Sequence, residues 1–330
     1  MTENTEILPW HAAHWQRLMA RLRGDSLPHA LLLTGPAGIG KGQFAGQLAQ
    51  ALLCQSPQAD GRACGTCRTC LLYQAGSHPD FARVNPEEGS KVIKIGQIRE
   101  LIARLAMTSQ MGGYRVAVIR PAHRLNTEAA NSLLKTLEEP GPRSLLLLLS
   151  DRPGLLPATI RSRCQALSFA PPPREMGVAW LRERVEGLDP ELLLGLTGGA
   201  PLAALALADP ERLARRGALV GELLQVAAGE VDPVAMARRW HGEDLGESVG
   251  WLTRTVMDLI RLKLTAQPPN LANPDLRPRL QPLAEQVDLR QLYGHLQRLQ
   301  QAARLGNTQV SAQSILEDVL IPWRNAANGR

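Results

Sequence analysis

The sequence is poor in aromatic residues and has no long apolar run. Aromatic residues make up only 4% of the 330 residues, so base stacking is not expected as the main mode of binding. The apolar run from Leu145 to Leu149 is far shorter than the roughly 20 residues that cross a bilayer. The amino terminus is acidic and has no apolar signal segment. We therefore expect a cytoplasmic protein with no membrane contact.

The overall composition is that of a soluble globular protein. Hydrophobic residues account for 44% and charged residues for 21%, and 330 residues leave room for two or three domains. The net charge of +6 permits contact with nucleic acid or an acidic partner. It does not require one, because arginine is distributed through every region of the chain.

A glycine-rich loop near the amino terminus is the best-defined motif. The apolar segment from Ala30 to Leu33 predicts a buried strand, and the sequence Gly-Pro-Ala-Gly-Ile-Gly-Lys follows it. This order of strand, glycines and lysine is typical of a P-loop, whose backbone N–H groups face a phosphate. The candidate nucleotide-binding residues are Gly35, Gly38, Gly40 and Lys41.

The loop lacks the groups that a P-loop ATPase uses to hold magnesium. Gly42 stands where a serine or threonine hydroxyl is needed. The strand that should end in an acidic residue is followed by Arg120, and the sequence then runs Pro-Ala to His123, which we interpret as a cap or core histidine. We expect no magnesium site, negligible turnover and doubtful ATP binding, with passive nucleotide binding through Lys41 left open.

Strands alternate with helices up to the first proline-rich segment. An amphipathic helix is predicted near residues 8–22, and further helices are predicted at about 41–53, around Ile98 to Leu105, and at 126–138. Strands are predicted at 30–33, after Asp80, and at 115–119, 144–149 and 165–169. Such alternation indicates an α/β domain with a mainly parallel sheet.

Three consecutive prolines, 171–173, end this alternation. We predict an α/β P-loop domain over 1–170, a small helical domain over 171–210 and an all-helical domain over 211–330. The apolar face of Leu252, Val256 and Leu259 suits either subunit packing or an ordinary core. The tail from Asn325 to Arg330 is predicted to be unstructured.

Four of the five cysteines lie close together in the sequence, as Cys54, Cys64, Cys67 and Cys70. Thiolates at these spacings are typical of a tetrahedral zinc site, so we predict a structural zinc module at 54–70. Four protein ligands leave no position for a catalytic water. Disulfides are disfavoured in a cytoplasmic setting, and an iron–sulfur cluster is the remaining alternative. Cys164 is predicted to be a packed core thiol.

Two further motifs carry a resemblance to a known family. The segment from Ala130 to Pro140, Ala-Asn-Ser-Leu-Leu-Lys-Thr-Leu-Glu-Glu-Pro, and the triplet from Ser162 to Cys164 look like motifs of the clamp-loader branch of the AAA+ ATPases. With the cysteine run and the altered strand end, the chain resembles the delta-prime family of bacterial DNA polymerase III subunits. The resemblance is strongest over residues 8–210.

The resemblance implies an AAA+ (RecA-like) fold with a small helical lid domain and a helical collar domain. It also implies that Arg163 acts in trans as an arginine finger in the ATP site of a neighbouring subunit, with Arg161 as the alternative residue. The chain would be a non-hydrolysing stator of the clamp loader and an accessory subunit of a DNA-directed DNA polymerase. Its implied partners are the ATPase subunits, the delta subunit, the sliding clamp indirectly or weakly, and primed DNA through the assembled complex.

Two other functions remain as alternatives. An autonomous AAA+ ATPase motor or switch would hydrolyse ATP alone, and the altered magnesium site argues against it. A zinc-dependent nucleic-acid binder would read bases with the cysteine module. The module offers only Arg62 and Arg68 as cations and no aromatic residue, which disfavours base readout.

Overall fold

The computed structural model describes residues 7–242, 244–265, 267–268, 271–306, 308 and 310–327. The chain divides into two compact units, the first ending at Pro172 and the second beginning at Pro173. The first unit contains the parallel sheet and the second is helical. These features confirm the predicted fold class. The subdivision of the second unit at residue 210 stays a prediction.

The first unit is built on a five-stranded parallel sheet. Its strands are β1 (Ala30–Thr34), β2 (Phe81–Val84), β3 (Arg115–Ile119), β4 (Ser144–Ser150) and β5 (Gln165–Ser168). Their spatial order is β2-β3-β4-β1-β5. Every residue of β4 is buried, as expected for a leucine run covered by helices on both faces.

Six helices belong to this unit. They are α1 (Ala12–Arg23), α2 (Lys41–Leu53), α3 (Arg68–Gln74), α4 (Ile95–Ala106), α5 (Thr127–Glu138) and α6 (Ala158–Arg161). The helix predicted at 8–22 is divided, with a 3₁₀ turn at Pro9–His11 before α1. The Asn126 side chain accepts a hydrogen bond of 2.8 Å from the Ala129 N–H and caps α5, which therefore begins one residue after the predicted start.

The register of the sheet brings the candidate residues to one edge. Thr34, at the end of β1, pairs with Ser150 at the end of β4. Ile119, at the end of β3, pairs with Leu148 of β4. Because parallel strands end at the same edge, the segments that follow β1, β3 and β4 lie side by side. The P-loop, Arg120 and the residue after Ser150 consequently share one site.

The second unit contains nine helices within the described residues. They are α7 (Arg174–Arg182), α8 (Pro190–Leu196), α9 (Pro201–Leu207), α10 (Pro210–Ala228), α11 (Pro233–Trp240), α12 (Leu245–Leu264), α13 (Arg277–Gln286), α14 (Leu289–Leu305) and α15 (Ala312–Ala327). The buried Trp323 indole N–H donates to the Leu223 carbonyl at 3.0 Å and so ties α15 to α10. Because α15 continues to Ala327, the prediction of an unstructured tail is wrong for residues 325–327, while 328–330 lie outside the described residues.

No single helix in the described ranges is long and apolar enough to cross a membrane. Two short helices, α8 and α9, reach the length and apolar composition of a membrane span only when they are counted together. They are bent by 109° relative to each other. Both helices bury leucines inside the second unit.

Candidate functional site

The P-loop joins β1 to α2 in the way that the sequence predicts. Gly35, Gly38 and Gly40 all have positive φ, and Gly40 directly precedes α2. A β-carbon on Gly35 would lie 2.2 Å from the Phe169 carbonyl oxygen, so only glycine fits there. The loop therefore retains the backbone of a phosphate-binding turn at a helix amino terminus.

Lys41 is held inside this loop by three acceptors. Its side chain is only 6% exposed, and its Nζ donates to the carbonyls of Gly35 at 2.8 Å and Pro36 at 2.7 Å. The third contact is an ion pair with Asp151, the residue that follows β4. Since an ammonium group has three N–H bonds, these contacts use them all. A phosphate would have to displace Asp151 to reach Lys41.

Arg120 stands against the position at which a P-loop ATPase carries its magnesium-binding hydroxyl. A β-carbon built on Gly42 would lie 2.6 Å from Arg120 Nη1 and 3.1 Å from Cζ. The guanidinium therefore fills the space next to the start of α2. A cation held there repels a divalent metal through Coulomb interaction instead of binding it.

His123 lies beside the same edge of the sheet, in the 3₁₀ turn Ala122–Arg124. Its Nδ1 is 3.1 Å from Ser150 Oγ. Burial lowers the pKa of His123 below its usual value, against the opposing effect of Asp151. The ring is thus a hydrogen-bonded, half-buried histidine, and its interpretation as a cap or core residue stays a prediction.

The four clustered cysteines come together at the far end of α2. Cys54 follows α2 directly, Cys67 precedes α3, and Cys70 lies in the first turn of α3. The four sulfur atoms all lie within 4.8 Å of one another, and among the described residues they form the one group so placed. The structure therefore brings together the four residues predicted as ligands. Cys164 lies apart from them in the core of the sheet, where burial raises the pKa of its thiol to about 11.

The spacing of these sulfur atoms fits a tetrahedral ion. Cys54 Sγ is 3.5 Å from Cys64 Sγ and 3.9 Å from Cys67 Sγ, and Cys64 Sγ is 4.0 Å from Cys70 Sγ. A tetrahedral site with metal–sulfur bonds of about 2.3 Å places its sulfurs about 3.8 Å apart. The four thiols could hold one metal ion.

Hydrogen bonds and burial act differently on the four thiols of the cysteine module. The backbone N–H of Cys64 donates to Cys54 Sγ, and that of Cys67 donates to Cys64 Sγ, each at 3.3 Å. Burial raises the pKa of Cys67, but hydrogen bonds outweigh this effect and lower the pKa to about 5. The largest of these hydrogen-bond effects comes from the Thr69 hydroxyl. Burial raises the pKa of the Cys54 and Cys70 thiols, so these two would have to lose a proton when a metal binds.

Arg163 lies on the surface just after α6. Its side chain is 34% exposed and makes an ion pair with Glu138, the last residue of α5. Its Nη1 donates to the Thr159 carbonyl at 3.0 Å. Arg161, at the end of α6, is exposed. Both arginines are accessible; Arg163 pairs with a carboxylate, and no such pair of Arg161 is found among the described residues.

Sequence reasoning missed two acidic residues in these sites. Asp151 follows the leucine run of β4, and its place could have been found from the rule that parallel strands end at one edge. Glu138 belongs to the segment that carries the family resemblance. Nothing in the local pattern indicates that it contacts Arg163, which is 25 residues away.

Comparison with known proteins identifies the family of the chain. Residues 10–173 match the family described as DNA polymerase III, delta subunit, and residues 210–325 match its C-terminal family. The chain is 34% identical to the DNA polymerase III subunit delta' of Pseudomonas aeruginosa, over 96% of this chain and 97% of that protein. It is 34% identical to the subunit of the same name from Escherichia coli K12, over 77% and 76% of the two chains. The Yersinia pestis protein of that name is 33% identical over 96% and 95%. The chain therefore belongs to the delta-prime family of DNA polymerase III subunits.

Proposed function

We propose that this chain is a clamp-loader subunit that does not hydrolyse ATP itself and that completes the ATP site of a neighbouring subunit. The observation that carries the proposal is the position of the Arg120 guanidinium, with Nη1 2.6 Å from where a β-carbon on Gly42 would lie. The guanidinium occupies the space that a hydroxyl-bearing side chain at position 42 would need, and in P-loop ATPases that hydroxyl holds the magnesium ion. The relatives named as delta-prime subunits support the assignment to the clamp loader.

Two features of this chain argue against turnover at its own P-loop. The magnesium ligands are replaced by Gly42 and Arg120, so the charge that develops on a transferred phosphoryl group would lack its main counter-charge. Lys41 is already paired with Asp151. Loss of the metal alone removes several kcal/mol of transition-state stabilisation, on the order of a 10³-fold fall in rate. ATP binding by this chain is accordingly weak, and no magnesium accompanies it.

Arg163 is the residue through which the chain acts on its neighbour. Its guanidinium is partly exposed and follows α6 in a hydrogen-bonded turn, which suits insertion into a site on another chain. A guanidinium beside a γ-phosphate stabilises the charge that develops during transfer, and it works equally well from another subunit. The neighbours would be the ATPase subunits and the delta subunit. The assembled complex would act on the sliding clamp and on primed DNA, with this chain as its stator.

The remaining parts of the chain have supporting roles in this proposal. The four cysteines bind a structural zinc ion, which has no open position for a substrate. The P-loop domain comprises residues 1–170, the lid domain 171–210 and the collar domain 211–330. The collar holds the subunit ring together. The protein acts in the cytoplasm as an accessory subunit of a DNA-directed DNA polymerase.

The experiment compares ATP hydrolysis by the purified chain with hydrolysis by the complex containing its ATPase partners, the clamp and primed DNA. We expect no turnover by the chain alone. In the complex, Arg163→Ala should lower turnover at the neighbouring site at least about tenfold, because the finger stabilises the transition state. Arg161→Ala is the matched control, since it removes an exposed arginine two residues earlier and should leave the rate unchanged.

Two results would contradict the proposal. Equal rates for the wild-type complex and the Arg163→Ala complex would exclude the role in trans. Hydrolysis by the isolated chain that disappears in Lys41→Ala would identify an autonomous ATPase.

A further inference from the structure

Glu138 and Arg163 form an ion pair in which two guanidinium nitrogens contact one carboxylate oxygen. Arg163 Nε donates a hydrogen bond of 2.8 Å to Oε1 of Glu138, and Nη2 lies 2.5 Å from the same oxygen as an ion pair. We propose that Glu138 is a positioning residue: it orients Arg163 so that the guanidinium faces the ATP site of the neighbouring subunit. This inference rests on the proposed function, because it gives Arg163 its role in trans.

The contacts fix the guanidinium and still leave it able to bind a phosphate. Glu138 holds Nε and Nη2 from α5, while the Thr159 carbonyl accepts from Nη1 at 3.0 Å within α6. Ser162 Oγ is a longer contact of Nη1, at 3.4 Å. Within the described parts of the chain, no acceptor contacts the second N–H of Nη2. An arginine held from two helices, with one N–H directed to no internal group, is prepared for an incoming anion.

The position of Glu138 in its helix supports a specific role. It is the last residue of α5, where the exposed helix carbonyls make a carboxylate unfavourable. Pairing with Arg163 offsets this effect. An unrestrained arginine samples many rotamers, and it loses this conformational freedom when the side chain binds. By restricting Arg163 before the neighbour arrives, Glu138 lowers that entropic penalty.

Glu139 provides a matched control. It is the next residue, it is exposed, and it directly follows α5 as the C-cap residue. No side-chain hydrogen bond or ion pair of Glu139 is found within the described residues. Glu138→Gln and Glu139→Gln therefore make the same chemical change at adjacent exposed positions, and only the first weakens the contact with Arg163.

The test measures steady-state ATP hydrolysis by the assembled complex with clamp and primed DNA. Glu138→Ala and Glu138→Gln should lower kcat about two- to fivefold, the range expected from losing an exposed ion pair. The KM for ATP should change less than about twofold, because the neighbour's own residues bind the ground-state nucleotide. Glu139→Gln should match wild type. In an Arg163→Ala background, Glu138→Ala should have no further effect.

A second measurement uses the isolated full-length chain and does not depend on its partners. The NMR signal of the Arg163 Nε–H should exchange with solvent more slowly in wild type and in Glu139→Gln than in Glu138→Ala. Melting temperatures of the variants check that each one folds.

The outcomes separate this inference from the proposed function. If Arg163→Ala leaves the rate of the complex unchanged, the proposed function fails and this inference fails with it. If Arg163→Ala lowers the rate but Glu138→Ala and Glu138→Gln do not, only the positioning role is overturned. A fall in rate that is equally large in the Arg163→Ala background, or a change in KM alone, would also overturn it.

Discussion

The guanidinium of Arg120 lies in the space that a side chain at Gly42 would need. The two residues are 78 positions apart, and a β-carbon on Gly42 would be 2.6 Å from Arg120 Nη1. A hydroxyl-bearing residue at position 42 would therefore force the guanidinium to move aside. The missing hydroxyl and the missing carboxylate are therefore linked. Glycine at position 42 leaves the space in which the Arg120 guanidinium lies.

This relationship predicts that the magnesium site can be restored only by changing both residues. Gly42→Thr combined with Arg120→Asp supplies a hydroxyl and a carboxylate at the two positions that hold magnesium in P-loop ATPases. We expect this double variant to bind ATP at least about tenfold more tightly with Mg²⁺ than with a chelator. Titration with a fluorescent ATP analogue measures the effect. Wild type and both single variants are the controls, and Mg²⁺-dependent tightening in any of them would contradict the prediction.

The ion pair between Lys41 and Asp151 predicts a second change in nucleotide affinity. Asp151→Asn removes the charge that neutralises Lys41 and that repels phosphate, so the P-loop should bind metal-free ATP about three- to tenfold more tightly. Calorimetric titration in the presence of a chelator measures it. Asp60→Asn is the control, because Asp60 is an exposed aspartate paired with Arg62 near the cysteine module. Equal affinities of wild type and Asp151→Asn would show that Asp151 does not compete with phosphate.

Much of the first unit could be predicted from the sequence because its signals are local. The leucine run of β4 and the boundaries of α2 follow from apolar spacing and from glycines at a turn. The cysteine ligands are likewise separated by short intervals that allow one cluster.

The contacts that define the candidate sites could not be predicted, because they join distant segments. Lys41 and Asp151 are 110 residues apart and meet because β4 lies next to β1 in the sheet. Strand order depends on the packing of the whole domain, and no short pattern encodes it. For the same reason, the sequence indicates that Arg120 replaces a metal ligand but does not indicate that its guanidinium lies beside Gly42.

The geometry of the cysteine module predicts the metal content of the purified chain. We expect about one zinc ion per chain, bound by Cys54, Cys64, Cys67 and Cys70. Cys67→Ser should lower the zinc content at least about tenfold, because removal of one thiolate breaks the four-ligand set. Elemental analysis by mass spectrometry measures it. Cys164→Ala changes a core cysteine outside the module and should keep the full content; iron in place of zinc would point to a cluster instead.

The surroundings of His11 predict how the stability of the first unit depends on pH. The ring is buried between Phe44 and Phe169, and burial, with a smaller effect of the neighbouring His14, lowers the pKa of His11 to about 4. In the unfolded chain the value is about 6.5. Above pH 6.5 the histidine is neutral in both states, and its contribution to stability is fully present. As the pH falls from about 6.5 to about 4, the unfolded chain binds a proton that the folded chain does not, so stability is lost.

The expected loss from His11 is about 3 kcal/mol across this pH range, since each unit of pKa difference corresponds to about 1.4 kcal/mol. Urea unfolding at pH 7.5 and pH 4.5, followed by a probe placed in the first unit, measures it. His11→Leu replaces the ring with an apolar side chain of similar size that cannot bind a proton. The free energy of unfolding of this variant should depend less on pH, so the variant should gain stability relative to wild type at pH 4.5. If His11→Leu and wild type lose the same stability on acidification, a different group titrates on unfolding.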